Sequence, residues 1–216
     1  MNLAKYIDHT YLKPIGTSKE IEKLCEEAKE YEFVAVCVNP VWIDTCKKLL
    51  KGTSVKVATV IGFPLGAMTT DSKVFETKNA IELGADEIDM VMNIGKMLEE
   101  DYDYVNEDIS KIASTCGNKV LKVIIETAYL SKDEIVKACK LAVEAGADYV
   151  KTSTGFASEG ATLENVMLMR ETVGENIGVK AAGGIRNYSD AIKMIEAGAT
   201  RLGASSGVKI ASGANE

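Results

Sequence analysis

Histidine is nearly missing from this 216-residue chain, which has only His9. Catalytic zinc sites usually draw on clustered histidines, so a metal centre is not expected. Cysteine offers no substitute. The five cysteines (Cys25, Cys37, Cys46, Cys116 and Cys139) are odd in number and form no CxxC pair. That argues against a structural zinc site or a disulfide framework, and leaves free thiols in a reducing, cytoplasmic setting as the expectation. Positive charge is not in excess: the net charge is −7, which gives no support to a nucleic-acid partner but allows a local basic pocket for a small anion. No run approaches the roughly 20 apolar residues of a membrane span, and Met1–Tyr6 lack the apolar stretch of a signal peptide, so no membrane partner is expected. No GxGxxG follows the first strand-like run, which removes the dinucleotide fingerprint. There are three prolines and no Pro- or Ser-rich linker, so residues 1–216 read as a single domain.

What is present is a repeated unit. Short β-branched runs are predicted as strands over Tyr6–Thr10, Phe33–Val38, Val55–Ile61, Glu87–Met92, Val120–Glu126, Tyr149–Thr152, Val179–Ala182 and Thr200–Gly203. Helical patterns fill the gaps. Lys19–Tyr31 places Ile21, Leu24, Cys25, Ala28 and Tyr31 at three- and four-residue spacing. Another begins near Val41, and Asp71–Leu83 carries Val74, Phe75, Lys78 and Ile81. Ser131 and Glu134 form a capping box ahead of Ile135, Ala138, Cys139 and Ala142. Three helices end in a shared phrase around Gly84, Gly146 and Gly198, each a candidate C′ residue of positive φ. The polar segment Leu98–Asp108 is expected to cover the outside after the fourth strand. Eight βα units fit an α/β (βα)8 TIM barrel better than an open sheet.

Within that barrel, lysines occupy strand centres. Lys122, Lys151 and Lys180 each ride an apolar run, where an unpaired ammonium is disfavoured. Side-chain alternation groups Tyr149, Lys151 and Ser153; Glu87, Asp89, Val91 and Asn93; Lys122, Ile124 and Glu126; and Lys180 with Ala182. Three lysines and Asp89 can therefore converge near the C-terminal mouth. Two neighbouring cations lower the proton affinity of one of them and free an amine, which can attack a carbonyl and form an iminium. The iminium stabilises an adjacent carbanion as an enamine, and a carboxylate such as Asp89 can move protons. Lys122 alone reads equally as a salt-bridged lysine. Asp8 and Thr10 share the inward face of the first strand, where Asp8 can pair with Lys180. His9 points toward the helices, and Cys37 ends the second strand near the interior.

The late loops carry a second signal. Gly183-Gly184-Ile185-Arg186 and Gly203-Ala204-Ser205-Ser206-Gly207 follow strands seven and eight, where barrels build phosphate cradles from backbone N–H groups. Thr154-Gly155 after strand six can complete such a pocket. The bland alternative is tight turns that close the barrel.

The motifs Ile7-Asp8-His9-Thr10, Val36-Cys37-Val38-Asn39-Pro40, Ile61-Gly62-Phe63-Pro64-Leu65-Gly66, Glu87-Ile88-Asp89-Met90-Val91, Leu121-Lys122-Val123-Ile124-Ile125-Glu126, Val150-Lys151-Thr152-Ser153-Thr154-Gly155-Phe156, Lys180-Ala181-Ala182-Gly183-Gly184-Ile185-Arg186 and Gly203-Ala204-Ser205-Ser206-Gly207 run in order along nearly the whole chain. On these residues the chain resembles the deoxyribose-phosphate aldolase family of class I aldolases. The resemblance implies reversible cleavage of 2-deoxy-D-ribose 5-phosphate to acetaldehyde and D-glyceraldehyde 3-phosphate. It makes Lys151 the Schiff-base lysine, Lys180 the lysine that depresses its pKa, and Asp89 a proton-transfer residue working through a bound water. Lys122, Asp8 and Thr10 become supporting residues. Thr154, Gly155, Gly183, Gly184, Gly203, Ser205 and Ser206 fall on the phosphate-binding loops. It further implies no metal or organic cofactor and a homodimer or higher homo-oligomer. Two departures stand out. Ala204 replaces a threonine of the usual loop, and the sequence ends Ala211-Ser212-Gly213-Ala214-Asn215-Glu216 without the C-terminal tyrosine of some longer members.

Rival readings are a lysine aldolase for another phosphorylated sugar, discriminated by donor preference, and a non-catalytic barrel that binds sugar phosphates and has no need of a free amine at Lys151.

Overall fold

The computed structural model describes residues 1–213. The final residues Ala214 to Glu216, where the comparison with tyrosine-ended relatives falls, lie outside the described residues. Parallel strands β1 (Ile7–Tyr11), β2 (Ala35–Val38), β3 (Lys56–Ile61), β4 (Glu87–Val91), β5 (Val120–Ile124), β6 (Tyr149–Lys151), β7 (Gly178–Ala182) and β8 (Arg201–Ala204) close into a barrel in sequence order, with β8 returning to β1. Helices α1 (Ser18–Glu30), α2 (Ile43–Leu49), α3 (Thr70–Glu82), α4 (Ile94–Leu98), α5 (Tyr102–Cys116), α6 (Lys132–Glu144), α7 (Leu163–Val173), α8 (Tyr188–Glu196) and α9 (Gly207–Ala211) lie between and after them. This is the expected (βα)8 TIM barrel. No described helix is long and apolar enough to cross a membrane.

Alternation along each strand divides the molecule. Outward residues such as Val36, Val38, Ile88, Met90, Leu121, Val123, Val150, Val179 and Leu202 pack with the helices into one large apolar layer. The capping box on α6 forms as read: the Ser131 N–H donates to Glu134 Oε2 at 2.6 Å, and the Glu134 N–H donates back to Ser131 Oγ at 3.4 Å. Glycines 84, 146 and 198 have φ of +104°, +95° and +110°, the conformation the repeated phrase predicted. The residue at the end of each phrase also has a job that the sequence did not disclose. Asp86, Asp148 and Thr200 accept the N–H of Val57, Leu121 and Val179 at 2.9, 2.8 and 3.1 Å. Each such residue thereby fastens the start of β4, β6 or β8 to the start of the strand before it.

Three expectations are corrected. Of the helical pattern read on α3, Val74 and Ile81 pack half-buried against the core, but Phe75 and Lys78 do not. The fully buried residues of α3 are Lys73, Thr77 and Ala80, and Phe75 is 73% exposed. The cause is a buried ion pair, in which Lys73 Nζ donates to Asp108 Oδ2 at 2.6 Å and to the Val91 carbonyl at 3.0 Å, turning a polar side inward. The segment Leu98–Asp108 is not only an outer cover, because it starts α5 and delivers the buried Asp108. Strand β5 stops at Ile124, and Glu126 has φ +53°, so Glu126 does not continue the face of Lys122. His9 faces the helices as alternation predicts, with Nε2 2.7 Å from Glu27 on α1.

Candidate active site

The barrel interior is split between two chemistries. From β2 and β3 come Ala35, Cys37, Ala58 and Val60, which pack with Leu12 and Phe63 into a small apolar cluster. From β4 round to β1 come Glu87, Asp89, Lys122, Lys151, Lys180, Arg201 and Asp8, each buried. They are inward positions of neighbouring strands: Asp89 registers with Lys122, Lys151 with Lys180, and Lys180 with Arg201.

These side chains form a continuous lattice. Asp89 lies at its centre, accepting from Lys122 at 2.7 Å on Oδ1 and from Lys151 at 2.8 Å and Lys180 at 2.7 Å on Oδ2. Lys180 also reaches Asp8 Oδ2 at 2.5 Å. Arg201 donates to Asp8 Oδ1 at 2.7 Å and to both oxygens of Glu87 at 3.3 and 3.4 Å. Lys122 closes the circuit to Glu87 at 2.6 Å. Beside Lys151, the short strand β6 is fastened to β7 by Thr152, whose hydroxyl donates to the Ala182 carbonyl and accepts the Ala182 N–H, both at 3.1 Å.

The lattice brings four basic groups against three carboxylates. In a dry interior an uncompensated charge is strongly disfavoured, so neutrality requires one basic group without its proton. Arginine is always charged. Among the lysines, burial opposes the charged form of Lys180, but Asp8 and Asp89 outweigh it and its pKa is raised. Lys122 is likewise raised: burial and the Lys180 charge oppose its charged form, and Asp89, Asp8 and Glu87 together outweigh them. Lys151 goes the other way. Burial is the largest influence and pushes it below the ordinary lysine value, Asp89 opposes, and the Lys180 charge adds to the lowering. The carboxyls of Asp89 and Asp8 resist burial because the surrounding cations hold both well below the usual range. Cys37, the nearest thiol, is pushed up by burial and stays protonated.

Above the lattice, at the C-terminal ends of the strands, lies a cavity of about 610 Å³. Of the four basic lattice residues only Lys151 lines it. Thr10, Thr154, Gly155, Gly183, Gly184, Gly203, Ser205 and Ser206 line it too, all singled out in the sequence. Asp89, Lys180, Lys122 and Asp8 do not. They lie beneath Lys151 and meet it, or one another, through the lattice. The loops are held tightly. A Cβ on Gly160 would stand 2.3 Å from the Gly183 carbonyl oxygen, so the segment after β6 rests directly on the turn after β7. Thr154 is committed to Glu126, which accepts its hydroxyl and, at 3.2 Å, its N–H.

Sequence reasoning missed Arg201 and the basic rim, and it misplaced Glu126. Alternation puts Arg201 on the inward face with Gly203. It also puts Glu126 beside Lys122, but the left-handed backbone of Glu126 itself carries it to Thr154 instead. Lys13, Arg186 and Lys209 also line the cavity, as do the apolar Leu12 and Phe156. Phe156 meets Phe63 edge-on, with ring centroids 5.3 Å apart.

A buried amine opening from the strand ends into a cavity lined by glycine turns and basic side chains defines an enzyme site for a small anionic carbonyl compound. Comparison with known proteins agrees. The model of the DeoC/LacD family of aldolases matches residues 2–213, and the chain belongs to that family. It is 58% identical over 213 residues to a deoxyribose-phosphate aldolase of Streptococcus uberis, covering 99% of this chain and 97% of that protein. It is 60% identical over 214 residues to one of Thermoanaerobacter pseudethanolicus, covering 98% and 96%. Among solved structures, the tetrameric deoxyribose phosphate aldolase of Aeropyrum pernix superposes with a TM-score of 0.91 at 34% identity, covering 97% of this chain and 89% of that one.

Proposed function

We propose that this chain is a deoxyribose-phosphate aldolase, cleaving 2-deoxy-D-ribose 5-phosphate reversibly to acetaldehyde and D-glyceraldehyde 3-phosphate through an imine on Lys151. The observation that carries the reading is the charge count beneath Lys151, which favours a neutral amine on the one lysine of the lattice that faces the cavity. Lys151 Nζ attacks the aldehyde carbon of the open-chain sugar. The carbinolamine loses water to give an iminium. Removal of the C3 hydroxyl proton then breaks the C2–C3 bond, whose electron pair enters the iminium and leaves an enamine on Lys151. D-Glyceraldehyde 3-phosphate departs, the enamine carbon takes a proton, and water releases acetaldehyde and the amine.

Lys180, held as a cation by Asp8 and Asp89, keeps Lys151 from taking up a proton. Asp89 receives and returns protons through Lys151 or a water at the amine. Lys122 and Asp8 hold Asp89 and Lys180 in place, and Thr10 borders the cavity beside them. The phosphate sits at the end formed by Thr154, Gly155, Gly183, Gly184, Gly203, Ser205 and Ser206, with the positive rim of Lys13 and Arg186 nearby. Thr154 contributes shape rather than donors, since Glu126 takes its hydroxyl and N–H. The loop carries Ala204 where a threonine is usual, and its backbone donors remain for the anion. We further propose one barrel domain that works in the cytoplasm as a homo-oligomer. The five buried free cysteines and the tetrameric Aeropyrum pernix relative support these points.

Reduction with borohydride in the presence of acetaldehyde, followed by peptide mass analysis, tests the assignment. A two-carbon adduct on Lys151 is expected. An adduct on Lys122 with none on Lys151 would overturn it.

A further inference from the structure

Two members of the lattice, Arg201 and Glu87, do not line the cavity above Lys151 and are given no part in the reaction above. Arg201 is 8% and Glu87 5% exposed, on opposite sides of the barrel, and they are joined by two hydrogen bonds across it. A buried ion pair that only fastens β8 to β4 has no reason to share both partners. Yet Arg201 shares Asp8 with Lys180, and Glu87 shares Lys122 with Asp89. Glu87 thus contacts Lys122, which touches Asp89, and Arg201 contacts Asp8, whose other partner Lys180 touches Asp89; Asp89 in turn touches Lys151.

We propose that Arg201 and Glu87 are positioning residues for the Lys151 amine: one supplies the third permanent cation and the other the third carboxylate, making the lattice electrically balanced when Lys151 is neutral. The inference rests on the imine reading of Lys151 given above. Without Arg201, two lysines face three carboxylates, and a proton on Lys151 restores the balance. Without the Glu87 charge, three cations face two carboxylates, and a proton on Lys151 adds to an excess. The two halves of one ion pair therefore act on Lys151 with opposite sign.

The other groups around Lys151 leave this count unchanged. Cys37 on β2 is a buried thiol kept protonated by its surroundings. Tyr149, on β6 itself, lies under the Arg201 guanidinium at 5.5 Å from ring centroid to carbon. Glu126, beyond β5, gives its carboxylate to Thr154 and forms no ion pair with a lattice cation among the described residues. The inward residues of β3, Ala58 and Val60, are apolar. Asp8 on β1, Asp89 on β4, Lys122 on β5, Lys180 on β7 and Arg201 on β8 complete the surroundings, and all are in the count.

The test follows the rate of acetaldehyde trapping on Lys151 by cyanoborohydride as a function of pH, read by peptide mass. It compares the full-length protein with Arg201→Met, Arg201→Lys, Glu87→Gln and the double variant Arg201→Met/Glu87→Gln. Trapping needs the amine, so each profile has an acidic limb whose midpoint reports the proton affinity of Lys151. Arg201→Met is expected to move the limb to higher pH and Glu87→Gln to lower pH, each by on the order of one pH unit. Arg201→Lys, which keeps the charge, and the double variant, which is balanced again, are expected to return it to the wild-type position. Limbs that stay put, or move in the same direction in both single variants, overturn the proposal and leave a merely structural pair. Should Arg201→Met fail to fold, Glu87→Gln against the double variant decides by the same criterion. No adduct on Lys151 in the wild-type protein overturns the imine reading, and this inference with it.

Discussion

Lys73 and Lys151 are buried equally deeply and used in opposite ways. Lys73, on α3 outside the barrel, meets at 2.6 Å a carboxylate that pairs with no other cation among the described residues, and a carbonyl at 3.0 Å. Lys151, inside the barrel, shares Asp89 with two other lysines and faces a cavity. A lysine paired in this way is a rivet, and here it holds α3 to α5 and to the end of β4. Of the three lysines that share Asp89, Lys122 also has Glu87 and Lys180 also has Asp8; Lys151 has no second carboxylate, and it is the one whose proton affinity is lowered. Burial alone thus does not make a lysine reactive; the stoichiometry of its neighbours does.

The largest way to break the comparison is at Lys151. Lys151→Met is expected to lower aldol activity by on the order of 10⁴–10⁶-fold, and to do so without lowering the melting temperature at neutral pH. The sign follows from linkage. The pKa of Lys151 is lowered by folding, so its favourable contribution is complete only above the unfolded value of about 10.4 and is lost as pH falls through the folded value. At neutral pH the residue is an energetic burden, and the wild type should gain stability relative to Lys151→Met as pH rises toward 10. A clear drop in the neutral-pH melting temperature of that variant would contradict the charge count.

Asp89→Asn comes next. Loss of a positioned proton-transfer group is expected to cost about 10²–10⁴-fold in kcat. Because Asp89 favours the charged form of Lys151, its neutral replacement should also move the acidic limb of trapping to lower pH. A limb displaced to higher pH would show that another anion controls the amine.

Asp108→Ala breaks the other member of the pair. It leaves Lys73 buried without its carboxylate, and should destabilise the protein by about 3–5 kcal/mol in denaturant titration, while the folded fraction still traps acetaldehyde on Lys151. Loss of trapping in folded protein would mean that the two sites are not separate. The smallest effect expected is that of Ser131→Ala, about 1 kcal/mol from the lost helix cap, with both lysines unaffected. Its thermal unfolding, set beside that of Asp108→Ala, calibrates what an ordinary local loss looks like.

The sequence made the interior lysines legible and hid Lys73, for one physical reason. Period-two alternation in a strand assigns a side chain to an inner or outer face without knowledge of its partner, so Lys122, Lys151, Lys180, Asp89 and Asp8 could be grouped before any contact was seen. A lysine on a helix is normally solvated, and the partner that buries Lys73 lies 35 residues away on another helix. Phe75 misled in the complementary way, because an aromatic at helical spacing reads as core, and here it is exposed. The glycine turns were readable from their repetition. The commitment of Thr154 to Glu126 was not, since it hinges on a single left-handed residue after β5. Arg201 lay within a predicted strand and was open to the same alternation argument that found the lysines.

The lattice also has a place in time. Asp8, near the start of the chain, meets Lys180 and Arg201, which lie 172 and 193 positions further along. During synthesis the first six strands can emerge and begin to pair while neither Lys180 nor Arg201 yet exists to complete the set. On the charge count proposed above, the nascent chain carries Lys151 as an ordinary lysine, and a nucleophilic amine comes into being only when β8 has emerged and the barrel shuts.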